Sequence, residues 1–420
     1  MMVESPQVFA GCTIVSPNYL GYARTLAGSY LAQHPGHRFF VLIVADLADA
    51  IPFAGEAFTT VMLPEIGLED LRGTAMKYEI LELNTNVKPT FMKYLIRCFG
   101  ITRLVYLDPD IFCYAPLLPV WEALEDHDCV LTPHLTTPVF DGKLPGEQEM
   151  LYNGTYNLGF AAVKNSAESL RLLAWWERRC LDLGFSEGRT GLFVDQKWMN
   201  LAPGLFERVK ILRHLGCNMA YWNLNDRVLS RRSDGTYVVN ATVTLCFFHF
   251  SGVVVTDPGV LSNNTDRFTL PERPDLAELF AEYKAAVIAN RGTPLETLPY
   301  GFDRLSDGTT ITRLARRIFA KHEAHFAGTD PFDAQGPFAQ FARRNGLVKG
   351  KAAPAKATWK QFSPADRRVE MVHRLLKLAL RVLGPHRYEL LMRYLAHIAV
   401  LRHQSVFLND GLEPRGEKSL

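Results

Sequence analysis

Two aspartates, Asp108 and Asp110, stand one residue apart where the apolar run Leu104-Val105-Tyr106-Leu107 ends. On an extended chain, residues i and i+2 point to the same side. The two carboxylates would then repel and raise each other's pKa. A divalent cation removes that conflict. Oxygen ligands of this kind suit Mg²⁺ or Mn²⁺, which usually complete their shells with substrate phosphates. The pair therefore points to a metal–diphosphate site. Asp-Pro-Asp is also a good turn sequence, and on these residues alone both readings stand.

The surrounding elements decide where such a pair would sit. Gly11–Val15 reads as a short apolar strand, broken by Pro17 and Asn18, and Leu20–Leu31 carries helical spacing up to Pro35. HRFFVLIVAD, ending at Asp46, and FTTVMLPE read as further strands, and a helical region from about Leu68 to Phe99 is interrupted near Pro89. After the Asp-Pro-Asp strand come a short helix in PVWEALED, a strand in CVLTPH and a strand over 156–165. The next helix starts at a predicted capping box, Asn165 with Glu168, and runs toward Gly184. TVTLCFFHFSG, 242–252, predicts one more strand. Alternating strands and helices imply an α/β domain with a mainly parallel sheet. Ligands bind at the carboxyl ends of such strands, where Asp46, Asp108, Asp110 and His134 fall.

Composition bounds the rest. The 420 residues are 48% hydrophobic and 21% charged, which excludes a disordered chain. A net charge of +2 carries no mark of a partner, and no nucleic acid is expected. The first residues lack the basic and apolar regions of a signal peptide, and no apolar run is long enough for a transmembrane helix. Cysteines 12, 98, 113, 129, 180, 217 and 246 are scattered singly, with no C-x-x-C pair. That predicts reduced, structural thiols in a cytoplasmic protein rather than a disulfide framework or a zinc site.

Four segments, taken in order, carry a resemblance. LVYLDPDIFCYAPL resembles the DxD segment of GT-A glycosyltransferases, whose metal strand ends in Leu-Asp-x-Asp. YNLGFAAVKN is similar to the Asn-x-Gly strand of the retaining, family-8-like branch. VDQKWMN resembles its Asp-Gln-x-x-x-Asn segment, and FHFSG its late His-x-x-Gly. The resemblance spans about 250 residues, 8–255, and implies a GT-A domain using a nucleotide-diphosphate sugar, with a UDP-sugar favoured, and Mn²⁺ or Mg²⁺. It makes Asp110 and His249 metal ligands, and Asp108 a ligand or a donor contact. Lys93 would face the donor, and Asn157 and Gly159 would border the sugar. Asp195 would accept from sugar hydroxyls and Gln196 would lie beside the anomeric carbon. Thr13, Val15 and Tyr19 would form the nucleotide pocket, with Tyr19 a candidate stack for the base. The chain departs from the pattern where a Lys-Pro-Trp should clamp the diphosphate: Val255, Thr256 and Asp257 stand there. Lys77, Lys93 or Arg267 could supply the missing cation.

The expected organisation is a catalytic domain over 1–268, a helical extension over 269–345, a linker over 346–360 and basic helices over 361–420. From Asp366 to Arg402 there are eight Lys/Arg against three Asp/Glu. These helices would either cap the protein, form a dimer contact, or lie on an anionic inner membrane. The implied activity is transfer of a sugar, with retention, to a glycan or lipid-linked acceptor in surface polysaccharide assembly. The rivals are a nucleotidyltransferase, a DxD phosphatase, and a non-catalytic relative. A DxD phosphatase would carry the pair on its first strand, and a nucleotidyltransferase a glycine-rich first loop; TIVSPNYLGY is not one.

Overall fold

A computed structural model describes residues 7–47, 55–257, 259–350 and 367–408. In chain order the strands are β1 (Phe9–Val15), β2 (Arg38–Ile43), β3 (Thr59–Met62), β4 (Arg103–Leu107), β5 (Ile111–Cys113), β6 (Cys129–Pro133), β7 (Tyr156–Lys164), β8 (Ser186–Glu187), β9 (Leu192–Phe193), β10 (Val209–Ile211), β11 (Leu229–Arg231), β12 (Tyr237–Val239), β13 (Val243–Thr244) and β14 (Phe247–His249). Seven of them form one sheet in the order β10-β6-β7-β4-β1-β2-β3. All neighbours are parallel except at β7, which runs antiparallel to both β4 and β6. This is the mainly parallel α/β sheet that the alternating pattern implies.

The strand order fixes where a ligand can enter. From β1 the chain moves outward to β2 and β3, then returns to place β4 on the other side of β1. The carboxyl ends of β1 and β4 therefore flank a topological switch point, the crevice in which open α/β sheets bind ligands. Both strands are apolar because they are buried on both faces, β4 along its whole length. One apolar cluster joins β1, β2 and β4 to the helices Leu20–Gln33 and Leu118–Asp126. A second gathers Met219, Phe248 and Phe250 against Leu279, Phe280 and Tyr283 of the helix Ala277–Asn290. Phe250 and Tyr283 stack with ring centroids 3.7 Å apart.

The chain divides into two compact units, one of residues 1–69 and 80–301, the other of 70–79 and 302–420. The first unit therefore runs past the boundary at 268 read from the sequence, because the helix Ala277–Asn290 buries its apolar face in the second cluster. In the second unit the helix Arg313–His322 does not turn all its basic residues to solvent. Arg316 and Arg317 of the helix Arg313–His322 are buried, and their guanidinium groups donate to the carbonyls of Ala75, Met76 and Lys77. They satisfy the last turn of the helix Leu71–Lys77, where carbonyls lack intrahelical partners. The later part is helical as expected, and Gly384 (φ +72°) kinks the helix Arg367–Ile398 beside Pro385. Most of the 346–360 linker and the helix start at Ser363, Pro364 and Asp366 lie outside the described residues.

Two local expectations differ. The helix Ala167–Leu183 is capped by Ser166, whose hydroxyl accepts from Ser169 N at 3.1 Å, not by the Asn165–Glu168 box. The strand over 242–252 is split into β13 and β14.

Candidate metal and sugar-donor site

Asp108 follows directly on β4, and its carbonyl accepts from Ile111 N at 3.0 Å. Asp-Pro-Asp is thus a tight turn into β5, with Pro109 at the position that favours proline. The turn reading and the metal reading hold together: the carboxylates converge because the chain turns, not because they alternate on a strand. β5 pairs antiparallel with β14, in the register His249↔Ile111. That pairing carries His249 across to the two aspartates. Its Nε2 lies 2.9 Å from Asp110 Oδ1 and 3.9 Å from Asp108 Oδ2. One ligand atom from each of the three residues falls within 4.8 Å of the others.

The donor set fits a divalent cation. His249 Nδ1 donates to Asn157 Oδ1 at 3.2 Å, which leaves Nε2 as the nitrogen facing the carboxylates. A ligand histidine is usually oriented in this way, through its second nitrogen. Asn157 is held in turn by Asn218 Nδ2 (3.0 Å), and it donates to His134 Nε2 (3.3 Å). Burial lowers the pKa of His134 to about 4, so it stays a neutral acceptor. Burial also lowers that of His249, but the charge and hydrogen bond of Asp110 and the charge of Asp108 outweigh it and hold the group above its ordinary range. Both aspartate side chains are about one-third exposed (31% and 27%), which leaves the carboxylates open to a cation and its phosphates.

Gly159 explains the Asn-x-Gly spacing. Its carbonyl accepts from Asp108 N at 2.7 Å. A Cβ at this position would stand 2.4 Å from His249 Cε1, 2.8 Å from Asp108 Oδ2 and 2.9 Å from Asn157 Oδ1. Only glycine lets the β7 backbone pass beneath His249, Asp108 and Asn157. Gly159→Ala is expected to displace His249, cost about 1–3 kcal/mol through overpacking, and weaken Mn²⁺ binding in a calorimetric titration.

A second constellation lies beside the first. Lys88 Nζ donates to Asp195 Oδ2 at 2.6 Å and to the carbonyl of Leu158 at 2.7 Å. The ammonium also sits 4.1 Å from the centre of the Tyr106 ring, whose hydroxyl donates to Asp108 Oδ1 at 2.7 Å. A polar path thus connects Asp195 to the aspartate turn. Lys88 opens the helix Lys88–Phe99, the end at which a cation opposes the helix dipole, and Asp195 offsets that. Asp195 is held by Trp176, whose Nε1 donates to its carbonyl at 2.9 Å. Val194 precedes it with φ +42°, a strained conformation for a β-branched residue. Burial raises the Asp195 pKa to about 6, against the pull of Lys88. Gln196 Oε1 accepts from Leu158 N at 3.0 Å and its Nε2 donates to the carbonyl of Asn153 at 3.1 Å. Gln196 therefore braces the Asn157–Gly159 strand.

The structure brings together Asp108, Asp110, Asn157, Gly159 and His249, with Lys88, Asp195 and Gln196 alongside. It places Lys93 elsewhere, in an ion pair with Glu177. The lysine that meets Asp195 is Lys88, five residues earlier, which the sequence reading missed. Thr13 and Val15 are enclosed in β1, so neither side chain lines an open pocket as expected. Tyr19 is 46% exposed and stacks on Tyr22. Of the substitutes considered for the absent clamp, Lys77 pairs with Glu323 and Arg267 with Asp141. The cation found at the Val255–Asp257 segment is Lys284, which donates to the carbonyl of Asp257.

The fold is thus a mainly parallel α/β sheet with a carboxylate–imidazole group at the carboxyl end of β4, beside the switch point. No family model matches the chain. The uncharacterised protein YfnF of Bacillus subtilis (strain 168) is 27% identical over 209 residues, which are 49% of this chain and 68% of that protein. The uncharacterised protein YfnD of the same organism is 24% identical over 250 residues, 57% of this chain and 76% of its own. Among solved structures, the galactosyltransferase LgtC in complex with donor and acceptor sugar analogues is similar at 19% identity; the match covers 66% of this chain and 95% of LgtC, with a TM-score of 0.38.

Proposed function

We propose that this chain is a metal-dependent glycosyltransferase that moves a sugar from a nucleotide-diphosphate donor, a UDP-sugar in preference, to a glycan or lipid-linked acceptor, with retention at the anomeric carbon. The observation that carries the proposal is the convergence of Asp108, Asp110 and His249 at the carboxyl end of β4, beside the switch point. The order of the four sequence motifs supports it.

In this reading Asp108, Asp110 and His249 hold Mn²⁺ or Mg²⁺, which as a Lewis acid would stabilise negative charge developing on the leaving diphosphate. Asn157 and Gly159 wall the sugar pocket, and Gln196 keeps that wall in place. Asp195 spends one oxygen on Lys88 and has acceptor capacity left for a sugar hydroxyl. Tyr19 offers an exposed aromatic face to the base.

Lys284 takes the part of the absent Lys-Pro-Trp cation. Lys284→Met is expected to raise the donor KM by about 10–100-fold, the loss of one charge-assisted hydrogen bond of about 1.5–3 kcal/mol, with little change in acceptor KM. Initial-rate kinetics against each substrate test this. A KM increase confined to the acceptor would place Lys284 outside the donor site.

No helix among the described residues is long and apolar enough to cross a membrane. The helix Arg367–Ile398 nevertheless exposes Met371, Leu375, Leu378 and Leu390 among its basic residues. This favours contact with an anionic lipid surface as the place where a lipid-linked acceptor is met. Cosedimentation should occur with vesicles rich in anionic lipid and fall with salt; equal binding to neutral vesicles would contradict an electrostatic contact.

A further inference from the structure

The seven cysteines show no metal-binding spacing in the sequence, yet the fold gathers two of them with a histidine. Among the described residues, His214, Cys217 and Cys246 form a second group whose ligand atoms lie within 4.8 Å of one another. We propose that these three residues bind a borderline-soft divalent cation of the Zn²⁺ class, at a site separate from the aspartate centre. The proposal stands independently of the glycosyltransferase reading.

Chain geometry builds the group. Cys217 N donates to the carbonyl of His214 at 3.0 Å, closing a His-Leu-Gly-Cys turn. The carbonyl of Gly216 accepts from both Cys246 N (2.7 Å) and Phe247 N (3.2 Å), which docks the turn onto the start of β14. A Cβ on Gly216 would stand 1.9 Å from the Thr244 carbonyl oxygen and 3.2 Å from His214 Cε1. Glycine is therefore required for the turn to close and for the imidazole to fold back over it.

The chemistry of the donors selects the ion. Two sulfurs and one imidazole nitrogen suit Zn²⁺ and not the oxygen-seeking Mg²⁺. Zn–S bonds of about 2.3 Å and Zn–N bonds of about 2.0–2.1 Å place tetrahedral ligands about 3.5–4 Å apart, within about an ångström of the present spacing. Both cysteines are buried, and His214 is partly exposed, giving an entry path. His214 Nδ1 is buried without a hydrogen-bond partner, a deficit that a metal bond or a proton donor would remove. The contact with Cys246 and burial both push the Cys217 thiol well above its usual pKa. The buried Arg227 guanidinium lies near Cys217 and favours its thiolate. With three protein ligands, a solvent molecule would complete the tetrahedron. The site would fix the beginning of the strand that ends in His249.

The test uses the full chain, purified with reductant, stripped of metal and titrated with Co²⁺ as a spectroscopic probe. A thiolate-to-cobalt charge-transfer band with intense visible bands of tetrahedral cobalt is expected. It should survive in Asp110→Ala and be lost in Cys217→Ser and Cys246→Ser, and Zn²⁺ should displace the cobalt. The aspartate centre has no sulfur and cannot give this band. Its absence in the folded parent chain overturns the proposal even if the serine variants fail to fold. Persistence of the band in a folded Cys217→Ser variant overturns it as well, and so does a Cys217–Cys246 disulfide found by mass spectrometry in the reduced preparation.

Discussion

Asp110→Ala is expected to abolish turnover, with kcat/KM for a nucleotide sugar falling about 10³-fold or more. Of the two aspartates Asp110 lies nearer to His249, 2.9 Å against 3.9 Å, so its removal takes away one of the three proposed ligands and the nearest carboxylate to the imidazole. Lewis-acid stabilisation of a leaving phosphate is worth several kcal/mol, and each 1.36 kcal/mol is a factor of ten in rate. The fold should survive. The Asp110 side chain is 27% exposed, and the turn is held by backbone bonds, including Ile111 N to Asp108 O and Phe250 N to Asp110 O. The variant should therefore keep its thermal midpoint while losing its response to Mn²⁺. A variant that keeps its Mn²⁺-dependent rate would move the metal away from this turn.

Lys88→Met carries the second large effect, on stability. Lys88 and Asp195 are 1% and 2% exposed and pair at 2.6 Å. Removing one partner of a buried pair typically costs about 3–5 kcal/mol, because the other charge is left uncompensated. Asp195 can relieve that cost by taking up a proton. In the intact protein its pKa is already raised to about 6 from 3.8, and loss of Lys88 raises it further. A carboxyl whose folded pKa exceeds its unfolded value stabilises the fold below the unfolded pKa, and that contribution is lost as pH rises through the folded one. Lys88→Met should therefore be mildly destabilised near pH 5 and severely near pH 8. Adding Asp195→Asn should recover much of the loss at pH 8 while leaving activity low. Urea midpoints of the single and double variants at the two pH values check this; a pH-independent penalty would show that Asp195 is not the group left exposed to the loss.

The parts of this site legible in the sequence were those written in adjacent residues. Asp108 and Asp110 announce themselves because two carboxylates end an apolar run, and Asn157, Gly159 and His249 follow in the motif order. The sheet was legible because strands buried on both faces read as continuous apolar runs. Lys88 was not, because Lys88 and Lys93 sit on the same helix. Five residues apart, they point about 140° away from each other, and only the packing shows which one faces Asp195. Thr13 and Val15 looked like pocket residues because they approach a strand end, but β1 is covered along nearly all its length. Lys284 could not be read from the motif because it reaches Asp257 from a helix 27 positions later in the chain. The buried role of Arg316 and Arg317 was hidden for a related reason: their partners are carbonyls about 240 residues away.

The most direct test is release of free nucleoside diphosphate from nucleotide sugars by the full chain, assayed across UDP-, GDP-, ADP- and dTDP-sugars with and without Mn²⁺. The expected result is turnover of one donor class that stops with chelator, returns with Mn²⁺, and is absent in Asp110→Ala and His249→Ala. Turnover that persists unchanged in chelator, or that both variants retain, would contradict a metal centre built from Asp108, Asp110 and His249.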